Sequence, residues 1–290
     1  MATFPILLVH GIARFDIFAV ILRERLKIPD NSHSDQFDYF KGIKNHLEAN
    51  GFTVSAPNLA FAGSIDLRAE GLINYVNDVL QRTGSQKVHI IAHSMGGLDA
   101  RHMIVDKGMA DRVATLTTIG TPHHGTSVAD EIARPGGQRL VQELDRLIDV
   151  DGFADLTTAA CEQFNRRAED AEAKNGIAYQ TYAAWEKQPD IFAPLVPSWF
   201  IVSLHEGKND GLVSVRSQQW TPELIANDGT RKPVAQQAFP FQADHLNELG
   251  WWDLEEAIIP LFSGVSIVQQ ALNYEQRVRD LYLQIAQGLP

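Results

Sequence analysis

The sequence is poor in the residues and segments that mark several classes of protein. Cys161 is its only cysteine, so neither an intrachain disulfide nor a thiolate metal site is expected. No stretch approaches the roughly 18 uninterrupted apolar residues that a membrane-spanning helix needs. There is no internal repeat and no low-complexity tract. What remains is an ordinary globular composition of 290 residues, with 44% hydrophobic and 21% charged residues.

Positive charge is also scarce. The 25 Lys and Arg residues are outnumbered by 36 Asp and Glu residues, which gives a net charge of −11. The phosphates of a nucleic acid would be repelled by this charge, so we expect no nucleic-acid partner. The same argument disfavours docking on anionic membranes but leaves contact with a neutral lipid surface open. The sequence makes no prediction of the oligomeric state.

The first residues, MATFPILLVHG, lack the basic region and the cleavage site of a signal peptide. They lead directly into an apolar run at residues 6–9 that is typical of a core strand. We therefore expect no signal peptide, and either a cytoplasmic protein or a secreted one whose leader lies outside this sequence.

Short β-rich runs alternate with helical patterns along most of the chain. The candidate strands are residues 6–9, 52–54, 87–92, 113–119 and 199–204. Apolar residues three and four apart predict helices over residues 40–49 and 67–82. This alternation predicts right-handed βαβ units and a mostly parallel central sheet with helices on both faces, which is an α/β fold.

Two regions interrupt the alternation. Residues 127–190 lack strong strand signals and are predicted to form a helical lid or cap insertion. Residues 13–36 combine an apolar helical stretch with a polar loop and are a candidate second cap element. We interpret both as insertions within a single domain that spans residues 1–290. Such insertions can cover an active site, and the alternative is that they complete the hydrophobic core.

A strand–turn–helix motif centres on Ser94. The residues Ala-His-Ser-Met-Gly-Gly at 92–97 follow one apolar run and precede a helical pattern at 98–105. A nucleophile elbow needs small residues two positions before and after its serine, and Ala92 and Gly96 meet that need. Alanine replaces the usual first glycine, so the motif depends on its context. The strand before it and the helix after it predict that Ser94 is a nucleophile.

A serine nucleophile needs a histidine to accept its proton and a carboxylate to orient that histidine. In this type of fold the three follow one another in the order serine, acid, histidine. Of the ten histidines, His245 is the one that follows a suitable acid. Asp210, placed in a turn after the predicted strand 199–204, is the favoured acid, and Asp190 is a weaker alternative. The competing interpretation of Asp210 is a turn-forming aspartate in Asn-Asp-Gly.

Attack on an ester carbonyl creates an oxyanion that two fixed N–H groups must stabilise. The amide of Met95 follows the nucleophile, and the amide of Ile12 follows the first strand, so these two are the candidate donors. His10, Gly11, His93 and Gly96 are predicted to support the site. We expect the side chain of His10 to brace its loop.

Five motifs occur in one order: Pro-Ile-Leu-Leu-Val-His-Gly-Ile, Ala-His-Ser-Met-Gly-Gly, Thr-Ile-Gly-Thr-Pro-His-His-Gly-Thr, Asn-Asp-Gly-Leu-Val and Asp-His-Leu-Asn-Glu-Leu. Together they resemble the bacterial true lipases, the triacylglycerol lipases of lipase family I in the α/β-hydrolase superfamily. The likeness runs from residue 4 to residue 250 and is thin in the middle. It implies hydrolysis of acylglycerols or similar esters by Ser94, Asp210 and His245, with a mobile lid after Thr126.

The resemblance also implies features that this sequence lacks. Family members often bind calcium through an aspartate two residues after the histidine, where Asn247 stands here. A neutral amide is a poorer ligand for calcium than a carboxylate, so we expect no cofactor and disfavour a metal. The segment 13–36 is longer than the family's loop and is a candidate second wall of an acyl pocket. Candidate lining residues are Phe15, Phe18, Phe61, Phe153 and Phe192, although each taken alone is more typical of a core residue.

Several activities share this set of catalytic residues. The leading prediction is a lipase or carboxylesterase whose partner is a lipid or ester substrate. A thioesterase, a phospholipase A1 or an acyltransferase would use the same triad. Outside enzymes, the alternative is a non-catalytic module that binds a lipid or a protein partner.

Overall fold

A computed structural model describes residues 4–12, 39–60, 63–137, 150–251 and 267–290. The predicted second cap element at 13–36, and residues 138–149 of the predicted lid, lie outside the described residues. Seven strands form one sheet in the order β2-β1-β3-β4-β5-β7-β6. They are β1 (Ile6–Val9), β2 (Val54–Ser55), β3 (Val88–His93), β4 (Val113–Ile119), β5 (Ala178–Ala183), β6 (Glu223–Ile225) and β7 (Arg231–Ala238). All neighbours are parallel except β6 and β7.

Helices cover both faces of this sheet. The described helices are α1 (Ile43–Ala49), α2 (Ile65–Thr83), α3 (Met95–Val105), α4 (Ser127–Ala133), α5 (Thr158–Lys174), α6 (Val196–His205), α7 (Val215–Gln218) and α8 (Ile267–Gln287). The mostly parallel α/β architecture predicted from the sequence is therefore confirmed. None of these helices combines the length and the apolar character needed to cross a membrane.

The alternation of side chains along the strands divides the core in two. Ile6 and Leu8 of β1 point into a cluster with α1 and α8, whereas Leu7 and Val9 point into a cluster with α2 and α3. Successive strand residues face opposite sides, so a strand buried on both faces must be apolar throughout, as residues 6–9 are. The helix predicted at 67–82 occupies Ile65–Thr83 and ends at Gly84 in the left-handed region, as expected.

Two predictions about secondary structure are wrong. Residues 199–204, predicted as a strand, belong to helix α6. The run Val-Pro-Ser-Trp-Phe-Ile-Val-Ser-Leu-His is apolar almost throughout, and such a run does not distinguish a strand from a helix by periodicity. The region 127–190 is not wholly helical either, because β5 lies within it and pairs with β4 and β7 in the sheet. Strands β6 and β7 have no counterpart in the prediction.

The topology brings four loops to one edge of the sheet. The chain leaves the carboxyl end of β1 at His10, that of β3 at Ser94, that of β5 toward Asp210 and that of β7 toward His245. Because these strands are parallel, their carboxyl ends meet at the same edge, where open α/β sheets bind ligands.

Candidate active site

Ser94 occupies a strained turn between β3 and α3. Its backbone angles are φ 56° and ψ −136°, a conformation that residues with a side chain adopt only when their surroundings impose it. The surroundings here are hydrogen bonds: its N–H donates to the Ile119 carbonyl at 2.9 Å, and its carbonyl accepts from the Thr121 hydroxyl at 2.7 Å. The motif Thr-Ile-Gly-Thr thus holds the turn that presents the serine.

Two glycines make room for this turn. A β-carbon at Gly96 would lie 2.6 Å from the Val9 carbonyl oxygen, so only glycine allows α3 to start so close to β1. A β-carbon at Gly11 would lie 2.7 Å from the β-carbon of Ser94. The loop after β1 therefore packs directly against the candidate nucleophile, as the elbow geometry requires.

The structure brings Ser94, His245 and Asp210 together in one hydrogen-bonded line. The Nε2 atom of His245 lies 2.9 Å from the Ser94 Oγ, and its Nδ1 atom lies 2.8 Å from Asp210 Oδ2. All three side chains are buried, and Ser94 keeps 8% of its surface exposed. This is the arrangement that a serine needs to lose its proton to a histidine held by a carboxylate.

The loop of Asp210 holds both carboxylate oxygens in place. Oδ1 accepts the N–H groups of Leu212 at 2.9 Å and Val213 at 2.8 Å. Asp210 therefore also forms a turn within Asn-Asp-Gly, which was the competing interpretation of this residue. Oδ2 accepts the amide of Gln218 at 3.1 Å in addition to His245. Sequence reasoning missed Gln218, because nothing local links this amide to an acid eight residues earlier.

The alternative acids do not reach His245. Asp244 precedes the histidine, but its Oδ1 accepts the N–H groups of Leu246 and Asn247, and its Oδ2 accepts that of Phe192. Asp190, the weaker candidate, faces Lys187 at 4.0 Å.

A buried ion pair supports the loop after β1. The Arg68 Nη2 atom lies 2.7 Å from the Asp99 carboxylate and donates to the His10 carbonyl at 2.7 Å. The His10 ring braces the same loop, since its Nε2 accepts the N–H of Leu59 at 2.9 Å and its Nδ1 lies 2.7 Å from the Gly11 carbonyl. Burial, helped by the Arg68 charge, lowers the pKa of His10 to about 4, so the ring is neutral at pH 7.

A second hydrogen-bonded chain lies beside the first. His93 bonds through Nε2 to Glu248 Oε2 at 2.9 Å and through Nδ1 to the Tyr39 hydroxyl at 2.7 Å. The Gly11 N–H donates to that hydroxyl at 2.9 Å. His93 was predicted as a supporting residue, whereas Tyr39 and Glu248 were missed.

The residues of the two candidate oxyanion donors lie next to Ser94, one in the sequence and one across a pocket. Met95 is the first residue of α3, where backbone N–H groups lack partners within the helix. Ile12 lines a pocket with Ser94 and His245. The remaining lining is almost entirely apolar: Pro122, Thr126, Phe153, Leu156, Leu212 and Val213.

Of the five phenylalanines suggested as pocket residues, Phe153 lines this pocket. Phe192 packs against the core instead. Phe15, Phe18 and Phe61 lie outside the described residues.

The segment after the histidine carries Asn247 where the family resemblance implies a calcium-binding aspartate. Both oxygens of Asp244 are engaged by backbone N–H groups, and Asn247 supplies only a neutral amide. Neither residue offers a free carboxylate oxygen to a hard cation.

Comparison with known proteins places this geometry in a family. The family model of the α/β-hydrolase fold matches residues 5–201. The chain therefore belongs to the α/β-hydrolase fold family, as the sheet and the serine turn indicate.

Within that family the chain groups with the lipases. A triacylglycerol lipase of Vibrio cholerae is 30% identical over 74% of this chain and 73% of its own length. Triacylglycerol lipase 2 of Saccharomyces cerevisiae is 27% identical over 85% of this chain and 80% of its own length. Identity reaches 39% with a triacylglycerol lipase of Pseudarthrobacter phenanthrenivorans, but that match covers 44% of this chain and 35% of the relative. The expected family, and with it the enzyme class of ester hydrolases, is confirmed.

Solved structures agree on the fold. A lipase from Bacillus licheniformis in its mature form superposes with a TM-score of 0.63 at 18% identity, over 90% of this chain and 91% of that one. A metagenomic carboxyl esterase superposes with a TM-score of 0.59 at 16% identity, over 97% and 76% of the two chains. At these identities the likeness shows the shared fold alone.

Proposed function

We propose that this chain hydrolyses carboxylic esters with medium or long acyl chains, acylglycerols among them, through an acyl-enzyme on Ser94. The observation that carries the proposal is the line of two hydrogen bonds, 2.9 Å and 2.8 Å long, from Ser94 through His245 to Asp210. This line of residues borders a pocket whose other lining is apolar except for Thr126, as suits an acyl chain.

In the first half of the reaction the Ser94 Oγ attacks the ester carbonyl carbon. His245 Nε2 accepts the serine proton as the new C–O bond forms, and the carbonyl oxygen takes the negative charge. Asp210 accepts the His245 Nδ1–H, which keeps the proton-accepting nitrogen toward the serine and stabilises the imidazolium that forms. The tetrahedral intermediate then collapses, and the alcohol leaves with the proton that His245 returns.

The oxyanion is stabilised by backbone donors. We assign the N–H groups of Ile12 and Met95 to this role, because Ile12 lines the pocket beside Ser94 and Met95 follows Ser94 at the start of α3. Arg68 and the neutral ring of His10 hold the carbonyls of the loop after β1, so the loop's direction is set before the substrate arrives. A donor fixed in advance needs no reorganisation in the transition state.

In the second half water replaces the alcohol. His245 takes a proton from the water, whose oxygen attacks the acyl carbon. The ester bond to Ser94 then breaks as His245 returns that proton to the Ser94 Oγ, and a carboxylic acid is released. Phe153 and Leu156, which lie in the region predicted as a lid, border the acyl chain in this proposal. The relatives named triacylglycerol lipases support this substrate class.

Labelling with a fluorophosphonate tests the nucleophile. We expect wild type to be labelled and to hydrolyse p-nitrophenyl esters, and we expect Ser94→Ala to do neither. Ser127→Ala is a matched control, because it also removes a buried hydroxyl, one that has no hydrogen-bond partner among the described residues. Equal labelling of wild type and Ser94→Ala would refute the proposal.

A series of p-nitrophenyl esters of increasing chain length, with and without a calcium chelator, tests the substrate class. We expect the rate to rise toward medium and long acyl chains and to be insensitive to the chelator. Thioesters, phospholipids and emulsified triacylglycerol assayed beside them distinguish the related activities. A preference for acetate over every longer chain would contradict the proposed substrate class.

A further inference from the structure

We propose, on the basis of the function proposed above, that Tyr39, His93 and Glu248 are positioning residues. Together they form a hydrogen-bonded chain that fixes the relative positions of three segments. These are the loop after β1 that contains Ile12, the turn at Ser94 and the turn that contains His245. None of the three is itself the proposed nucleophile, base, acid or oxyanion donor. They act by keeping three separate loops at the spacing that the transition state needs.

The chain joins three parts of the sequence that no helix or strand connects directly. Glu248 lies in the short turn Asn247–Leu249, one turn after His245. Its Oε2 bonds to His93, which immediately precedes Ser94 in the elbow. The other nitrogen of His93 bonds to Tyr39, whose hydroxyl accepts the N–H of Gly11. Gly11 in turn precedes Ile12, the proposed oxyanion donor.

The three side chains are built into the core. Tyr39 is 9%, His93 is 1% and Glu248 is 0% exposed. A β-carbon at Gly120 would overlap the Glu248 carboxylate, so glycine at the end of β4 leaves space for this acid. The His93 ring also contacts the His245 ring, with centroids 4.6 Å apart. Polar groups this deeply buried are costly unless they bond to one another, which favours one arrangement of the loops.

The electrostatics argue for positioning rather than for a charge effect. Burial, together with the His245 charge, lowers the pKa of His93 well below its usual value, which leaves the ring neutral. Burial and the charges of Asp210 and Asp244 raise the pKa of Glu248 well above its usual value. The Glu248 Oε1 atom accepts no hydrogen bond among the described residues, and a side-chain hydrogen bond to Asp210 also raises the pKa of Glu248, as suits a protonated acid better than a carboxylate.

The hydrogen bond from the Gly11 N–H to Tyr39 connects these positioning residues to the proposed oxyanion donor. Because this N–H points to Tyr39, it is turned away from the oxyanion, and the direction of the following peptide group is set with it. Removing the Tyr39 hydroxyl leaves the buried Gly11 N–H without this acceptor and loosens the loop after β1 on that side. Arg68 and His10 still bond to the carbonyls of that loop. A small displacement of an oxyanion donor is enough to cost about 10- to 100-fold in rate.

Tyr39→Phe tests the proposal. We expect kcat to fall about 10- to 100-fold with KM changed less than threefold, because the lost interaction acts in the transition state. The inhibition constant of a trifluoromethyl ketone, which forms a tetrahedral adduct with the serine, should rise by the same factor as kcat/KM falls. The matched control is Tyr179→Phe, which removes a buried hydroxyl that accepts from Asn175 at 2.8 Å in the core cluster on the other face of the sheet. It should leave both constants unchanged.

Substitutions of Glu248 separate positioning from charge. Glu248→Gln keeps the shape and the hydrogen bond to His93, so we expect activity close to wild type, whereas Glu248→Leu should lose activity as Tyr39→Phe does. A loss in Glu248→Gln as large as in Glu248→Leu would overturn the assignment, since it would show that the charge matters. Thermal unfolding of each variant identifies any loss that is caused by misfolding.

The same measurements distinguish the two proposals. If wild type and Ser94→Ala react equally with a fluorophosphonate, the proposed function fails and this inference fails with it. If Ser94 reacts normally and folded Tyr39→Phe keeps wild-type kcat and inhibitor affinity, only the positioning role is overturned.

Discussion

Asp210→Asn tests the triad most directly, because the structure determines how the new amide must turn. Asp210 Oδ1 accepts two backbone N–H groups, from Leu212 and Val213, while Oδ2 accepts from His245 and Gln218. Asparagine has one oxygen, and the orientation that keeps both backbone bonds places its NH2 group against His245 Nδ1. That nitrogen must then accept, so the neutral ring carries its proton on Nε2.

A proton on Nε2 faces Ser94 and prevents the ring from accepting the serine proton. Loss of the correct tautomer costs about 10⁴-fold in kcat, which corresponds to about 5 kcal/mol of transition-state stabilisation. We expect this loss in kcat for p-nitrophenyl esters and in the rate of fluorophosphonate labelling. The free energy of unfolding should fall by no more than about 1–3 kcal/mol, because the new NH2 group also faces the Gln218 amide, which keeps its bonds to the Ala184 and Val213 carbonyls. The two backbone bonds, which hold the loop, remain.

Asp244→Asn is the matched control. Asp244 is also buried, also accepts two N–H groups through Oδ1, and is adjacent to His245 in the sequence, but neither of its oxygens bonds to the ring. We expect kcat within threefold of wild type and a loss of about 1–3 kcal/mol in the free energy of unfolding, because the new amide faces the Phe192 N–H. If Asp210→Asn kept more than a tenth of the activity, or if Asp244→Asn lost as much, the assignment of the acid would be wrong.

Two further predictions concern the loop after β1. Arg68→Met should lower the free energy of unfolding by about 3–5 kcal/mol, because it leaves Asp99 buried without its partner, and adding Asp99→Leu should restore part of it in urea denaturation. A double variant no more stable than the single one would contradict this. The pKa of His10 is lowered from 6.5 to about 4, so between these pH values the unfolded chain holds a proton that the folded chain does not. Stability should therefore fall as pH drops through this range, by about 1.4 kcal/mol per pH unit from this group, and His10→Gln should lack that component of the slope.

The parts of the fold that were predicted correctly depend on local patterns. Strands β1, β3 and β4 are short apolar runs, and helix α2 carries apolar residues at helical spacing with a glycine at its end. The elbow at Ser94 was found because its strand, turn and helix are contiguous in the sequence. Each of these signals lies within about 20 residues, where periodicity is informative.

The predictions that failed involve strands whose surroundings are unusual. In β7 only Val234 is buried, and Pro233 lies within it, so the sequence lacks the pattern of a core strand. Its hydrogen bonds to β5 come from the sheet, not from local preference. Strand β5 did carry a signal, since its buried residues Tyr179, Thr181 and Ala183 alternate with more exposed ones. Because polar residues occur at both the buried and the more exposed positions of β5, the segment was interpreted as part of a helical region.

Asp210 was identified although the strand thought to precede it is helix α6. The contact between Asp210 and His245 follows from order along the chain: in a parallel sheet, loops that follow successive strands reach the same edge whatever the intervening segments form. Chain order does not say which of those loops lie side by side. Tyr39, His93 and Glu248 meet because β1 lies next to β3 in the sheet and the segment after β7 folds back over the elbow. The residues proposed to react can therefore be predicted from sequence order, whereas the residues proposed to position them depend on lateral contacts that only the folded chain creates.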